Sequence, residues 1–349
     1  MKKVSPRSRA LAGIGLALSA ALVLSGCGGA RSGDAAGDES FTIKFSHVTT
    51  ANTPKGKAAE KFKEILEDSS DGRITVEIYP NSELYGDKDE LQALQSNSVQ
   101  MIAPSSSKFT TIAPQLQLLD LPFLFDTSED IPTLASRDSV IGDVIYENED
   151  LKSKNVQVLG LWDNGLKQLS ANTELRTPED TKGLSFRIQP ADVLASQFEA
   201  WGGATSTMAF AEVYNGLQQG VIDGQENTYS NIETQKMHTV QKFLTESDHG
   251  YIGYVTAINS EFFDSLPEDL QQLVIDAMDE ASAYNREVAT EVNEEAKQAI
   301  IEEGSTEIVT LTEEERQAWK DAVVPSVWEE HKDVLGPEII DGLLAERDK

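Results

Sequence analysis

Between Phe41 and Gln95 the apolar residues switch back and forth between two periods, and that alternation restricts the chain to one broad class of fold. Phe41 to His47 (FTIKFSH) alternates as a strand does, and Lys55 to Glu67 sets Ala58, Ala59, Phe62, Ile65 and Leu66 at helical spacing. Ile74 to Tyr79 (ITVEIY) returns to the strand pattern and Asp87 to Gln95 to the helical one. Strand and helix in succession predict an α/β fold, a sheet with helices on its faces. Val99 to Ala103 supplies a candidate third strand, and LLDLPFLF (Leu118 to Phe125) a buried segment.

The second half follows the same grammar. Val156 to Trp162 reads as a buried strand, Asp163-Asn164-Gly165 as a turn, and Leu166 to Ser170 as the next strand. After the loop RTPEDTKG come a strand at Leu184 to Ile188, a helix at Asp192 to Trp201, and a helix at Ala211 to Gln219 closed by Gly220. From Leu266 onward one long amphipathic helix is predicted to reach about Glu303, with Leu270, Leu273, Val274, Ala277, Met278 and Ala281 on a single stripe. A helix of that length can brace two lobes at once. That is the expectation preferred to a dimer-forming helix, so a monomer is expected.

The N-terminus reads as an export signal. MKKVSPRSRA is basic, Ala10 to Leu24 is apolar for about 15 residues, and a membrane span needs roughly 20. Leu24-Ser25-Gly26-Cys27 matches a lipoprotein cleavage site, and Cys27 is the single cysteine of the chain. Cys27 is therefore expected to carry a lipid, which leaves no thiol for catalysis and no disulfide. Residues 28 to 40 (GGARSGDAAGDES) have the composition of a flexible tether. The formal charge is −30, and losing the leader would remove Lys2, Lys3, Arg7 and Arg9. So acidic a body excludes nucleic acid as a partner and argues against binding to anionic lipid heads.

The usual catalytic groupings are missing. The 4 histidines, His47, His238, His249 and His331, are not spaced as ligand pairs on a helix, and there is no phosphate loop, nucleophile elbow or dinucleotide fingerprint. No catalytic residue, metal or cofactor is expected. Three polar features stand out instead. Arg187 interrupts an apolar strand in FRIQP, Lys167 follows the Asp163-Asn164-Gly165 turn, and Asn227 closes DGQEN. A buried guanidinium must be paired, and its fork of donors fits a carboxylate. Each residue also has an ordinary reading: an internally paired arginine, a lysine on a solvated face, and an asparagine in a turn.

The stretches DNGLKQLSANTELRTPEDTKGLSFRIQPADVLASQF, MAFAEVYNGLQQGVIDGQENTYSNI and SDHGYIGYVTAIN, with KFSHVTTANTPKGKAAEKF and DLPFLF upstream, resemble the DctP-like extracytoplasmic solute-binding proteins of TRAP transporters. The likeness runs in unbroken order from about Phe41 through the long helix, and within the family it is to the C4-dicarboxylate branch. It implies a two-lobed periplasmic-binding-protein-like fold, with hinge strands crossing between lobes and a ligand enclosed in the cleft. The implied division is a leader at 1–26, Cys27 and tether at 27–40, one lobe from 41–164 plus about 253–292, and the other from 165–252 plus about 293–349.

In that family the arginine matching Arg187 grips the ligand carboxylate, and the asparagine matching Asn227 adds a contact. The residue matching Lys167 is arginine in many members; as lysine here it suits a point-charge grip on a second carboxylate. Phe210 matches an aromatic that packs on the ligand. Ser105 stands where sialic-acid-binding relatives carry an acid, which disfavours a sugar acid. His47 and Lys55, in the first loop of the N-terminal lobe, are further candidates. The implied function is capture of succinate, fumarate or malate and delivery to the small and large membrane subunits of a TRAP permease. The alternatives are another small organic acid (2-oxo or aromatic), a ligand-presenting sensor for a membrane kinase, or an enzyme acting on diacids.

Overall fold

Eleven strands fall into two sheets among the described residues, 39–134 and 136–347 of a computed structural model. The leader, Cys27 and all but the last two residues of the tether lie outside them. The first sheet has the order β2-β1-β3-β10-β4, built from β1 (Phe41–Ser46), β2 (Ile74–Tyr79), β3 (Met101–Ile102), β4 (Val156–Leu166) and, from much later in the chain, β10 (Tyr251–Asn259). The second has the order β11-β9-β5-β8-β6-β7. It is built from β5 (Gln168–Ala171), β6 (Ser185–Ile188), β7 (Ala204–Thr207), β8 (Gly224–Asn227), β9 (Phe243–Glu246) and β11 (Glu307–Thr310).

The α/β grammar read from the N-terminal segment is present. The helix Pro54–Ser69 follows β1; Thr53 accepts from Gly56 N at 3.2 Å as its N-cap, and Pro54 occupies the first turn. Ala58, Ala59, Phe62 and Leu66 are buried beneath it with Ile43, Phe45, Ile74 and Val76, whereas Ile65 is only partly covered. Leu118 to Phe125 is buried throughout, as its composition implied.

One local expectation is corrected. Asp163-Asn164-Gly165 is no turn: β4 runs through these residues to Leu166, paired with β10, and the chain passes at Lys167 straight into β5 of the other sheet. Two asparagines of the long helix explain why. Asn285 accepts from Asp163 N at 2.5 Å and donates to Asp163 O at 3.1 Å, while Asn293 donates to Asn164 O at 2.9 Å. The backbone groups of the segment are satisfied from outside, so the chain has no need to fold back on itself.

That helix, Glu268–Glu303, has 36 residues and ends at Gly304 with φ +69°. At 1.5 Å per residue it is roughly 54 Å long. Its first half (Leu270, Val274, Ala277, Met278, Ala281) is part of the core under the first sheet; Ala296 and Ile300 belong to a cluster with Val213, Ile232, Met237 and Leu244 beside the second. It braces both sheets, as expected. No helix among the described residues is long and apolar enough to cross a membrane.

Candidate functional site

The chain crosses between the sheets at Lys167 and returns between Glu246 and Tyr251, and a small, nearly closed cleft lies between the two halves. Its lining combines both halves: Thr49, Asp87, Glu90, Pro104, Ser105, Lys108 and Tyr254 with Gln189, Phe210, Asn227 and Asn231. The halves touch beside it, since Phe210 N donates to Asp87 Oδ2 at 3.2 Å and Ser107 Oγ donates to Gln189 Oε1 at 2.9 Å.

Of the residues singled out from sequence, Ser105, Phe210 and Asn227 line this cleft. Ser105 Oγ is buried without a hydrogen-bond partner. Asn227 Oδ1 accepts from Asn231 Nδ2 at 2.8 Å, and the same amide donates to the Tyr254 hydroxyl at 3.0 Å.

Arg187, Lys55 and His47 stand one layer back, each in contact with the lining or beside it. Arg187, on β6, is 1 % exposed and donates from Nε (3.2 Å) and Nη2 (3.0 Å) to Met208 O. Its closest carboxylate is Asp87 Oδ2 at 3.9 Å, and that oxygen is already held by Lys108 Nζ at 2.7 Å. Lys55 Nζ lies 3.6 Å over the Tyr254 ring and donates to Ala103 O at 2.9 Å. Burial pulls the Lys55 ammonium down to about 7, against the opposing pull of Glu90 and Asp87. His47 is also fully buried; burial and the nearby Lys55 hold it down to about 3, and its Nε2 has no partner.

Lys167 is placed differently. It is buried and its Nζ meets Glu226 Oε1 at 2.8 Å, while Glu226 Oε2 meets His249 Nε2 at 2.9 Å and His249 Nδ1 meets the Ser247 hydroxyl at 2.7 Å. Glu226 and Asn227 are consecutive on β8, and strand alternation sends one to Lys167 and the other to the cleft. Burial alone would raise the Glu226 carboxyl, but Lys167 and His249 outweigh it and hold it down to about 2. Gly250 is required here, because a Cβ would come within 2.7 Å of Lys167 Cε. Trp201 covers His249 edge-on at 5.3 Å.

The polar lining residues Asp87, Glu90, Lys108, Gln189, Asn231 and Tyr254 are among those that escaped the sequence reading. Gln189 lies two positions after Arg187, and Asn231 one helical turn after Asn227, so both had a spacing signal. Lys108 and Asp87 carried none, because nothing local marks them as a pair.

The two acids do not cancel the positive charge of the site. Asp87 is taken up by Lys108, and burial pushes Glu90 up to about 8, so it is protonated at neutral pH. The guanidinium of Arg187 remains as an excess cation beside a small closed cleft, and Lys55, pulled down to about 7 by burial, adds a partial charge at neutral pH. A more open depression between β4, β5 and the long helix has the opposite character: Asp163, Glu246, Asp248 and Glu294 line it, and its Lys297 is bound to Glu246 at 2.5 Å. The two depressions thus differ in the sign of the charge that lines them.

Comparisons with known proteins identify the family. Residues 45–333 match the family described as bacterial extracellular solute-binding protein, family 7, or DctP. The C4-dicarboxylate-binding periplasmic protein DctP of Rhodobacter capsulatus is 44 % identical over 308 residues, 88 % of this chain and 91 % of that relative. A TRAP periplasmic solute-binding protein from Shewanella oneidensis with bound succinate superposes with a TM-score of 0.83 at 42 % identity, covering 88 % of this chain and 99 % of its own. One from Pseudomonas aeruginosa with bound L-malate gives 0.80 at 39 % identity, covering 83 % and 99 %.

Proposed function

The chain belongs to the DctP family of bacterial extracellular solute-binding proteins, and from that premise we propose that it captures a C4-dicarboxylate (succinate, fumarate or malate) and delivers it to a TRAP permease. The observation that carries this reading is Arg187: a fully buried guanidinium at the cleft whose closest carboxylate, at 3.9 Å, already belongs to a lysine. A ligand carboxylate supplies the missing partner. The proposed contacts are Arg187, Asn227, Phe210 and Ser105, with Lys55 and His47 behind them. Lys167 acts through Glu226, whose neighbour Asn227 reaches the cleft.

The proposed mechanism is capture and closure. Ligand contacts to both sheets favour the closed form, which the membrane subunits then read. The lobes follow the sheets, with 41–164 and about 253–292 in one, and 165–252 and about 293–349 in the other. Extracytoplasmic placement follows from the family. Removal of the leader, lipidation at Cys27, anchoring to the outer face of the membrane, the permease partners and a monomeric state are parts of this proposal.

The test is calorimetric titration of the body beginning after Cys27, stripped of carried-over ligand, with succinate, fumarate, malate, 2-oxobutyrate and sialic acid. A C4 diacid is expected to bind best. Arg187→Ala is expected to weaken it by at least tenfold, since a charge-assisted hydrogen bond contributes roughly 1.5–3 kcal/mol. Tight binding of a monocarboxylate with no response to the diacids would overturn the reading.

A further inference from the structure

One cleft residue has no role in the site as so far described. Glu90 opens the short helix Glu90–Gln95 and lines the cleft, yet it is fully buried and neither Oε1 nor Oε2 has a hydrogen-bond partner. The charged and titratable groups around it are Lys55 from the first helix, Asp87 three residues before it, Lys108 from the short helix Ser106–Phe109, and Tyr254 from β10. Each is engaged elsewhere. Lys55 is on Ala103 O, Lys108 on Asp87, and the Tyr254 hydroxyl accepts from Asn231. No ion pair reaches Glu90 among the described residues, so the protein leaves this buried carboxyl without an internal partner. Other buried side chains also lack a partner, Gln197 among them, but Glu90 is one that lines the cleft, and an open polar group there is a place for a ligand atom.

We propose that Glu90 is a further ligand contact that works as a carboxylic acid, donating its O–H to a carboxylate oxygen of the captured diacid; the inference rests on the diacid reading above. An ionised Glu90 would set a third negative charge against the two of the ligand. A protonated one turns the same side chain into a donor, so it selects for an acceptor-rich anion while keeping a buried charge out of the cleft. Burial raises this carboxyl to about 8, with Lys55 and Lys108 opposing and Asp87 assisting, which keeps the proton in place at neutral pH.

Two substitutions separate the possibilities. Glu90→Gln keeps the shape and one donor but cannot ionise, and Glu90→Leu removes both functions. Each is titrated with succinate at about pH 7 and about pH 9 beside the wild type, with a thermal melt to show that it is folded. At the lower pH, Glu90→Gln is expected within about threefold of wild type and Glu90→Leu about tenfold or more weaker, the worth of one such bond. At the higher pH the wild type is expected to weaken by clearly more than Glu90→Gln. Lys55 loses charge over the same range and Glu90 helps to hold that charge, so the comparison is repeated in a Lys55→Met background, where a difference between the two profiles belongs to Glu90. The proposal is overturned if Glu90→Gln falls as far as Glu90→Leu, if Glu90→Leu binds like wild type, or if the wild-type and Glu90→Gln profiles superimpose. Should Glu90→Leu not fold, the Glu90→Gln profile alone decides. A wild type that binds no diacid brings down the diacid reading and this inference with it; a wild type that binds while the Glu90 variants behave otherwise brings down this inference alone.

Discussion

Two clusters of buried ionisable groups serve this cleft, and they follow opposite rules. Around Glu226 every charge is answered from within: Lys167 on one oxygen, His249 on the other, Ser247 on the far side of the imidazole. Around Glu90 the protein stops short. Glu90, Ser105 Oγ and His47 Nε2 are without partners, and Lys55 has a carbonyl and a ring face where an anion would sit. Both clusters are equally dry, so desolvation does not distinguish them. What differs is whether the chain supplies its own counter-groups. On the proposed reading, a finished cluster holds the hinge region in one geometry, and an unfinished one is left for the cargo to complete.

The most severe way to break this contrast is to remove the centre of the finished cluster. Glu226→Gln leaves Lys167 buried beside an amide that cannot answer its charge, and losing one partner of a buried pair costs about 3–5 kcal/mol. Urea unfolding should register that loss; a change under about 1 kcal/mol would mean that Lys167 is satisfied elsewhere. The pH dependence has a defined sign. The folded carboxyl is held to about 2, below the ordinary glutamate value of about 4.3. The stabilisation is therefore complete above about pH 5 and is lost as pH falls toward 2. The gap between wild type and Glu226→Gln should close over that acid range.

The same contrast explains what could be read before the structure was known. The long helix was legible because Leu270 to Ala281 repeat at three and four residues, a pattern set by burial alone. Arg187 was legible because one charge in an apolar strand has to be accounted for. The crossover was misread. D-N-G is turn chemistry locally, but Asn285 and Asn293, more than a hundred positions away, hold it extended. Lys167 was visible as a charge and invisible as half of a pair, since nothing local chooses Glu226 over the many other acids. Glu90 was hidden most completely: G-D-K-D-E-L reads as the solvated start of a helix, and only the packing of Lys55, Lys108 and Tyr254 around it makes it a buried, open-handed group. Pattern reports which face is buried. It does not report which polar groups are left unanswered there.

Lys55→Met sharpens the comparison from the other side. Lys55 has no carboxylate in contact, so exchanging it for an apolar side chain of similar length removes a desolvated charge without orphaning an anion. Stability is expected to stay within about 1 kcal/mol of wild type, while diacid affinity falls about tenfold or more. Lys167→Met, by contrast, strands Glu226 beside His249 alone and should destabilise strongly. If the two variants lose equal stability, the division into a finished and an unfinished cluster is wrong.

The smallest effect belongs to Ser105. Its hydroxyl is buried at the cleft wall with no partner, and the residue is bridged through its backbone to Tyr254. Deleting a hydroxyl that makes no internal bond removes nothing the folded protein uses, so Ser105→Ala should leave urea unfolding unchanged or slightly improve it. On the proposed reading, the hydroxyl gains a partner when a ligand carboxylate enters. Affinity for succinate should then drop by about three- to tenfold, the net worth of a single hydrogen bond of roughly 0.5–1.5 kcal/mol. Loss of stability with affinity intact would place Ser105 with the scaffold. The expected pattern, affinity lost with stability intact, is what any member of the unfinished wall must show, and Ser105 tests it with the least disturbance to the packing around it.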